Sequence, residues 1–93
     1  MAYRLMTPRF PMGRIVATPA VLTLGLDLAV YIHRHHCGDW GEGLCAEDKA
    51  ANEISLKDGT RLLSCYHVGG GRRIYIITEA GRTSTTILLP EEY

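Results

Sequence analysis

Hydrophobic and polar residues alternate clearly along the last third of the chain. Residues 60–68 alternate and lead into a run of three glycines at 69–71. Residues 73–79 are rich in β-branched and aromatic side chains, and residues 85–89 form a third such run that ends before a proline. Short glycine-bearing loops between runs of this kind are typical of antiparallel hairpins. The pattern therefore predicts a three-stranded antiparallel meander.

A short strand and a short helix are predicted ahead of the meander. Residues 13–17 contain two neighbouring β-branched side chains, which favours a strand. Thr18 suits the N-cap of a helix, and Pro19 suits its first position. Because Gly25 follows soon afterwards, this helix is expected to be short.

A second helix is predicted from the spacing of four side chains. Asp27 can cap its start, and Gly38 suits the position that follows its last turn. Residues at i, i+3, i+4 and i+7 share one face of a helix. In this segment those positions hold Leu28, Tyr31, Ile32 and His35.

A third helix is predicted from about residue 46 to residue 57. Ala46, Ala50 and Ile54 form its expected inner stripe, since a four-residue spacing keeps side chains on one side. Acidic residues near its start agree in sign with the helix dipole. Asp58 and Gly59 end it.

These elements predict an α+β fold: a short N-terminal strand, two or three helices, and then the meander packed against the helices. Residues 1–11 are expected to form an irregular leader because two prolines interrupt them, and residues 12–93 to form one domain. One strand face offers Ile74, Ile76, Ile87 and Leu89 to the helices. The other face is also partly apolar, which suits a partner or a second copy of the chain; it carries Tyr75, Ile77, Thr86 and Leu88.

Composition narrows the class of protein. The 93 residues suit a single domain, and ten basic residues balance ten acidic ones. A nucleic-acid-binding protein usually has a basic excess, so this balance argues against direct nucleic-acid binding. Three cysteines are an odd number, which fits reduced thiols and a cytoplasmic location. The longest mostly apolar stretch, residues 21–32, is too short to span a bilayer, so no membrane role is expected.

A cluster of histidines and cysteines suggests metal binding as one alternative. His and Cys are the usual ligands of structural zinc. The spacing matches no standard zinc finger, so a histidine-rich helix end with small buried thiols is the favoured interpretation, and no metal or cofactor is predicted. The cluster comprises His33, His35, His36, Cys37 and Cys45, with Cys65 and His67 on a strand.

Three residues near the end of the second helix are predicted to anchor the following loop. His35 lies on the apolar helical face, where a polar group needs a partner; a backbone group or Asp39 is the expected one. Trp40 is expected to pack at the edge of the core, with its indole N–H bound to an acceptor.

Arginines of the sheet and its turns make a second set of candidates. They could form a basic strip, although nearby acidic residues and the zero net charge favour solvated strand ends. The hypothetical partner-binding set on this sheet is Tyr75, Arg61, Arg73, Arg82 and Thr86.

Five segments together resemble a family of small proteins encoded on bacterial plasmids and other mobile elements. They are Gly13-Arg14-Ile15-Val16-Ala17-Thr18-Pro19, His35-x-x-Gly38-Asp39-Trp40-Gly41, Asp48-x-x-x-Asn52, Arg61-Leu62-Leu63-Ser64-x-Tyr66, and Ile76-Ile77-Thr78-Glu79-Ala80-x-Arg82-x-x-Thr85-Thr86-Ile87-Leu88-Leu89-Pro90-Glu91-x-Tyr93. The resemblance covers residues 12–93, with Gly81 in place of an expected acidic residue.

The resemblance implies a class of roles without an assigned activity. Small proteins of mobile elements often inhibit host defences, such as CRISPR–Cas or restriction systems, by stoichiometric binding. We therefore expect a non-enzymatic binding protein whose partner is a larger protein or ribonucleoprotein. The element order also resembles RelE/ParE-type toxins, so a ribonuclease using Arg61, His67 and Arg82 is one alternative. A structural zinc domain is the other.

Overall fold

The computed structural model describes residues 7–93, so residues 1–6 of the predicted leader lie outside the described part. The predicted α+β class is confirmed. The elements in chain order are β1 (Arg14–Ala17), α1 (Pro19–Leu22), α2 (Leu28–His36), α3 (Ala46–Asp58), β2 (Leu62–Gly69), β3 (Arg72–Thr78) and β4 (Ser84–Leu88), with single 3₁₀ turns at Ala80–Arg82 and Pro90–Glu92.

The meander is confirmed, and β1 extends it into one mixed sheet with the order β1-β4-β3-β2. Strands β2, β3 and β4 pair antiparallel, whereas β1 runs parallel to β4 and places Ile15 beside Thr85. Parallel neighbours need a long connection between them, and the helical segment between β1 and β2 provides it.

Local sequence signals set several element ends. The Val21 N–H bonds the Thr18 hydroxyl at 3.3 Å, as expected of an N-cap. Asp27 occupies the N-cap of α2 but makes no side-chain cap bond. After α2, Gly38 takes φ +82° and the Asp39 N–H bonds the Arg34 carbonyl at 2.8 Å, which is the Schellman arrangement.

Helices α1 and α2 cover one face of the sheet, here called the inner face. The predicted apolar side of α2 is confirmed, because His35 is buried and the other three side chains pack on the same core. That core joins the helices to alternate strand residues, since side chains at i and i+2 share a sheet face. Its fully buried members are Val21, Tyr66, Ile74, Ile76 and Ile87.

The predicted inner stripe of α3 is wrong. Ala46, Ala50 and Ile54 are exposed, and Ile54 keeps 64% of its surface in solvent. Helix α3 lies beside the free edge of β2. Its Asn52 and Leu56 side chains contact the rest of the domain instead. Apolar periodicity misled the prediction because the residue that α3 buries most deeply is polar.

Residues 7–12 have no helix or strand before β1, yet they contribute to the core. Phe10 is buried and packs edge-on against His35, with 5.2 Å between ring centroids. The Arg9 guanidinium makes two hydrogen bonds to the Glu53 carboxylate, at 2.8 and 3.0 Å. The predicted leader is therefore packed on the domain over this part.

Candidate interaction surface

The sheet face opposite α1 and α2, here called the outer face, collects most of the predicted partner-binding residues. Strand register puts Tyr75 beside Leu88 and Ile77 beside Thr86 on this face. Alternation along the strands adds Leu63 from β2, Arg61 directly before β2, Arg73 from β3, and Arg14 and Val16 from β1. Four of the five predicted residues therefore share one surface: Arg61, Arg73, Tyr75 and Thr86.

Tyr93 completes the aromatic part of the outer face. Its ring meets Tyr75 edge-on, with 5.8 Å between centroids, and the Arg61 guanidinium carbon lies 5.4 Å from its centre. The turn before it is held because the Glu92 carboxylate accepts bonds from the Leu89 N–H at 2.9 Å and the Thr18 hydroxyl at 2.8 Å. In the sequence Tyr93 stands only at the end of a motif, and no pattern there predicts this role.

Arginines give the outer face a basic character. Arg14, Arg61 and Arg73 are exposed, and the exposed Glu79 directly follows β3. Beyond Arg73, an open groove runs between the β2–β3 turn and the segment after β4. Its walls combine apolar and charged groups: Leu24, Leu89, Pro90, Arg72 and Glu91.

Arg82 does not join the other predicted partner-binding residues. Its guanidinium donates to the Thr60 carbonyl at 2.5 Å and to the Ser55 carbonyl at 2.7 Å, so it ties the β3–β4 turn to the end of α3. These bonds assign Arg82 a structural contact inside the domain. A substitution there is expected to loosen this junction rather than to remove a surface contact.

The loop between α2 and α3 (residues 37–45), here called the covering loop, lies along the free edge of β2. The Cys65 N–H bonds the Trp40 carbonyl at 3.0 Å, and the Gly43 N–H bonds the Cys65 carbonyl at 3.0 Å. A side chain at Gly41 or Gly43 would overlap Cys65, which explains why two glycines flank this approach. The loop therefore occupies the place of a fifth strand.

Asn52 covers the same edge at Leu63, two residues nearer the start of β2. Its side-chain amide donates to the Leu63 carbonyl at 2.7 Å and accepts from the Leu63 N–H at 3.1 Å. The two contacts replace a neighbouring strand at this position. An unpaired edge is a template for strand addition, and here α3 protects it.

Ion pairs hold the covering loop. The Arg34 guanidinium binds Asp39 at 2.6 Å and Glu42 at 2.9 Å, and Glu42 also accepts the His67 N–H at 2.9 Å. Burial alone would raise the pKa of Glu42, but hydrogen bonds from its own N–H, Arg34 and the His67 N–H lower this pKa to about 2. The same two carboxylates raise the pKa of Arg34 against the opposing effect of burial, with the Asp39 bond the largest cause.

Trp40 is buried within this arrangement. Its indole N–H donates to Glu53 at 2.8 Å, and its ring lies edge-on to His35 with 5.7 Å between centroids. Hydrogen bonds from Arg9 and Trp40 lower the pKa of Glu53. The tryptophan therefore links the covering loop to α2 and α3.

His35 forms a buried polar chain with partners that the sequence did not predict. Its Nδ1 lies 2.5 Å from the Ser64 hydroxyl and its Nε2 lies 2.9 Å from the Thr78 hydroxyl, whereas Asp39 binds Arg34. Thr78 in turn contacts Thr85 at 2.7 Å, and Thr85 donates to the Met12 carbonyl at 2.7 Å.

The donor and acceptor of each hydrogen bond in this buried network follow from its last acceptor, the Met12 carbonyl. A carbonyl only accepts, so the Thr85 proton goes to Met12 and Thr78 must donate to Thr85. The Nε2 of His35 then donates to Thr78. In the neutral ring Nδ1 carries no proton, so it accepts from the Ser64 hydroxyl. Burial is the main cause that lowers the pKa of His35 to about 3, with smaller effects of nearby positive groups.

The His and Cys side chains of the alternative zinc site do not form a set of metal ligands. Within residues 7–93, no three His, Cys, Asp or Glu side chains are placed to hold a metal ion. His35 is bound to hydroxyls, and Cys65 is buried, which raises the pKa of its thiol. Cys45 is exposed at the start of α3.

Comparison with known proteins adds no family: no family model, curated protein or solved structure matches this chain. Over the described range, the structure contains no helix with both the length and the apolar character needed to cross a membrane.

Proposed function

We propose that this chain is a small non-enzymatic binding protein that covers a site on a larger protein or ribonucleoprotein with its outer face. One observation carries the proposal. The outer face carries three exposed arginines, and the exposed Tyr93 packs there against the half-buried Tyr75. Arginine and tyrosine are enriched at the energetically important positions of protein interfaces.

The charge of the outer face favours an acidic partner surface. Arg14 lies on β1, Arg73 lies on β3 and Arg61 directly precedes β2, so the backbone of the sheet sets their separations. Complementary charge steers association and selects the partner. The exposed Val16 and Tyr93 supply apolar surface that a partner can bury. A partner with carboxylates around an apolar centre fits this arrangement.

The ribonuclease alternative has weaker geometric support. Its three residues would have to act on one phosphate, but Arg61 directly precedes β2 and His67 lies near the far end of that strand, about 20 Å away at the strand rise per residue. Arg82 is bound to two backbone carbonyls at the end of α3. The residues of this alternative are therefore spread over the domain.

The resemblance of residues 12–93 to small plasmid-encoded proteins supports a cytoplasmic setting and a role against host defences. In this role the protein would bind a component of a CRISPR–Cas or restriction system and block its access to nucleic acid. Stoichiometric binding needs a surface and no reaction, which suits the outer face.

Protection of an incoming plasmid tests the anti-defence role. Expression of the wild-type chain in bacteria with an active CRISPR–Cas or restriction system should raise the transformation efficiency of a targeted plasmid well above that of cells without the chain. The variant Arg61→Glu/Arg73→Glu should lose the effect, because it reverses the charge of the outer face. Equal transformation with and without the chain, across a panel of such systems, would reject this role.

A further inference from the structure

The two edges of the sheet differ in whether their outward backbone groups are hydrogen-bonded. On β2, five consecutive outward groups are bonded by Asn52 or by the covering loop: the N–H and carbonyl of Leu63, the N–H and carbonyl of Cys65, and the N–H of His67. Proteins protect edges in this manner because an open edge invites another strand. Strand β1 forms the opposite edge and has no comparable cover within residues 7–93.

The outward groups of β1 can be identified from its bonds to β4. The Arg14 N–H donates to the Thr83 carbonyl and the Thr18 N–H donates to the Ile87 carbonyl, so these residues point their backbone groups into the sheet. Backbone direction alternates along a strand, and Ile15 and Ala17 therefore point theirs outward. The edge is also apolar and open, since Ile15 is 44% exposed and Val16 is 39% exposed.

We propose that this edge pairs with β1 of a second copy of the chain, antiparallel and across a two-fold axis. Self-pairing has a register that satisfies every outward group of the strand. Ile15 exchanges two hydrogen bonds with Ala17 of the other copy, and the symmetric pair adds two more. The register needs no residue beyond Arg14–Ala17.

The side chains match in this register. Val16 faces its own symmetry mate, and Ile15 lies beside Ala17 of the other copy, so apolar groups meet apolar groups. Arg14 lies opposite Thr18 of the other copy rather than opposite another arginine. Like charges directly opposite each other would oppose pairing, and this register contains none.

Pairing of this kind extends the proposed function. The two-fold axis of an in-plane strand pair is perpendicular to the sheet, so both outer faces lie on the same side of one eight-stranded sheet. Val16 and its mate occupy the centre of the joined surface. Two acidic sites of a partner could then be bound at once, which raises the overall affinity through effective concentration.

The interface is small, and the dimer is therefore expected to be weak and dependent on concentration. Sedimentation velocity of the purified full chain between about 10 μM and about 1 mM covers the range expected for such an interface. The wild-type chain should shift from monomer to dimer. Val16→Lys places two ammonium groups opposite each other and should raise the dissociation constant by at least about tenfold.

A matched control and a cross-link keep this test decisive. Val30→Lys adds the same charge at an exposed position of α2 and should dimerise like the wild type. In a Cys45→Ser background, Val16→Cys should form a disulfide-linked dimer under mild oxidation, because directly opposed residues are close enough for one. Val30→Cys in the same background should not.

A chain that stays monomeric at every concentration would overturn the proposal, as would equal dimerisation of Val16→Lys and the wild type, or failure of Val16→Cys to cross-link. The measurements use the isolated chain, so they are independent of the partner. A monomer that still binds an acidic partner through Arg61 and Arg73 would reject the dimer and leave the proposed function standing.

Discussion

Replacement of His35 by alanine should lower the free energy of unfolding by about 4 kcal/mol, from the loss of a buried side chain and the loss of hydrogen bonds to it. The ring is fully buried and contacts Phe10 and Trp40 as well as two hydroxyl groups. Domains of this size are stable by about 5–15 kcal/mol, so the variant would retain a narrow margin at best. Urea denaturation followed by tryptophan fluorescence measures the change.

The control for this prediction is His33→Ala, because His33 is exposed on the same helix. It should change the free energy of unfolding by no more than about 0.5 kcal/mol. A loss of similar size in both variants would show that the buried chain through His35 does not stabilise the fold.

The burial of His35 should make the free energy of unfolding depend on pH. The pKa of His35 is about 3 in the folded protein. The unfolded chain has an ordinary histidine pKa of about 6.5, so below that pH it binds a proton that the folded protein does not, and stability falls as pH falls. Between about pH 6 and pH 5 the contribution approaches 1.4 kcal/mol per pH unit. His35→Gln removes this contribution, and the difference from the wild type isolates it from the carboxylates that titrate below.

Replacement of Gly41 by alanine should lower the free energy of unfolding by about 3 kcal/mol, from backbone strain together with overpacking. Gly41 has φ +94°, and a methyl group would overlap the Cys65 carbonyl that the covering loop approaches. The loop would have to withdraw from β2, which would also expose that edge. Denaturation in urea gives the stability.

Gly59→Ala is the matched control, because Gly59 has φ +78° but no atom within 4 Å of an added Cβ. It should lower the free energy of unfolding by only about 1 kcal/mol, because alanine disfavours a positive φ. Equal losses at the two glycines would mean that the contact with β2 contributes nothing.

Elements set by neighbouring residues could be predicted from the sequence. Thr18 and Gly38 mark helix ends through bonds within a few residues, and Gly70 and Gly71 form the expected hairpin turn between β2 and β3. The side of α2 that faces the core follows from spacing alone. In each case the decisive interaction is local.

Contacts between distant residues could not be predicted in the same way. Ser64 and Thr78, the partners of His35, lie 29 and 43 positions away, and hydroxyl residues in strands have no pattern that marks them as buried. Asn52 is buried because its amide takes the place of a neighbouring strand. In the sequence, a polar residue within a helix indicates a position exposed to solvent. Arg82 was assigned to the surface because its two carbonyl acceptors become neighbours only in the folded chain.

The outer face stands between these two cases. Its membership followed from alternation, and so Tyr75 and Thr86 could be assigned to it before the structure was known. Its basic character could not, because the total charge of the chain is zero and many of the acidic residues lie elsewhere, as Glu47 and Asp48 do on α3. The chain is therefore neutral overall, but its charges are unevenly distributed over the surface.

Affinity capture from bacterial lysate with two charge-reversal variants tests the central claim most directly. Arg61→Glu/Arg73→Glu alters the outer face, while Lys49→Glu/Lys57→Glu makes the same change in net charge on α3. Mass spectrometry should recover a protein or ribonucleoprotein partner with the wild type and the α3 variant, and at least about tenfold less with the outer-face variant, since charge reversal opposes steering and contact. Equal recovery by the two variants, or no partner above background with the wild type, would contradict the claim.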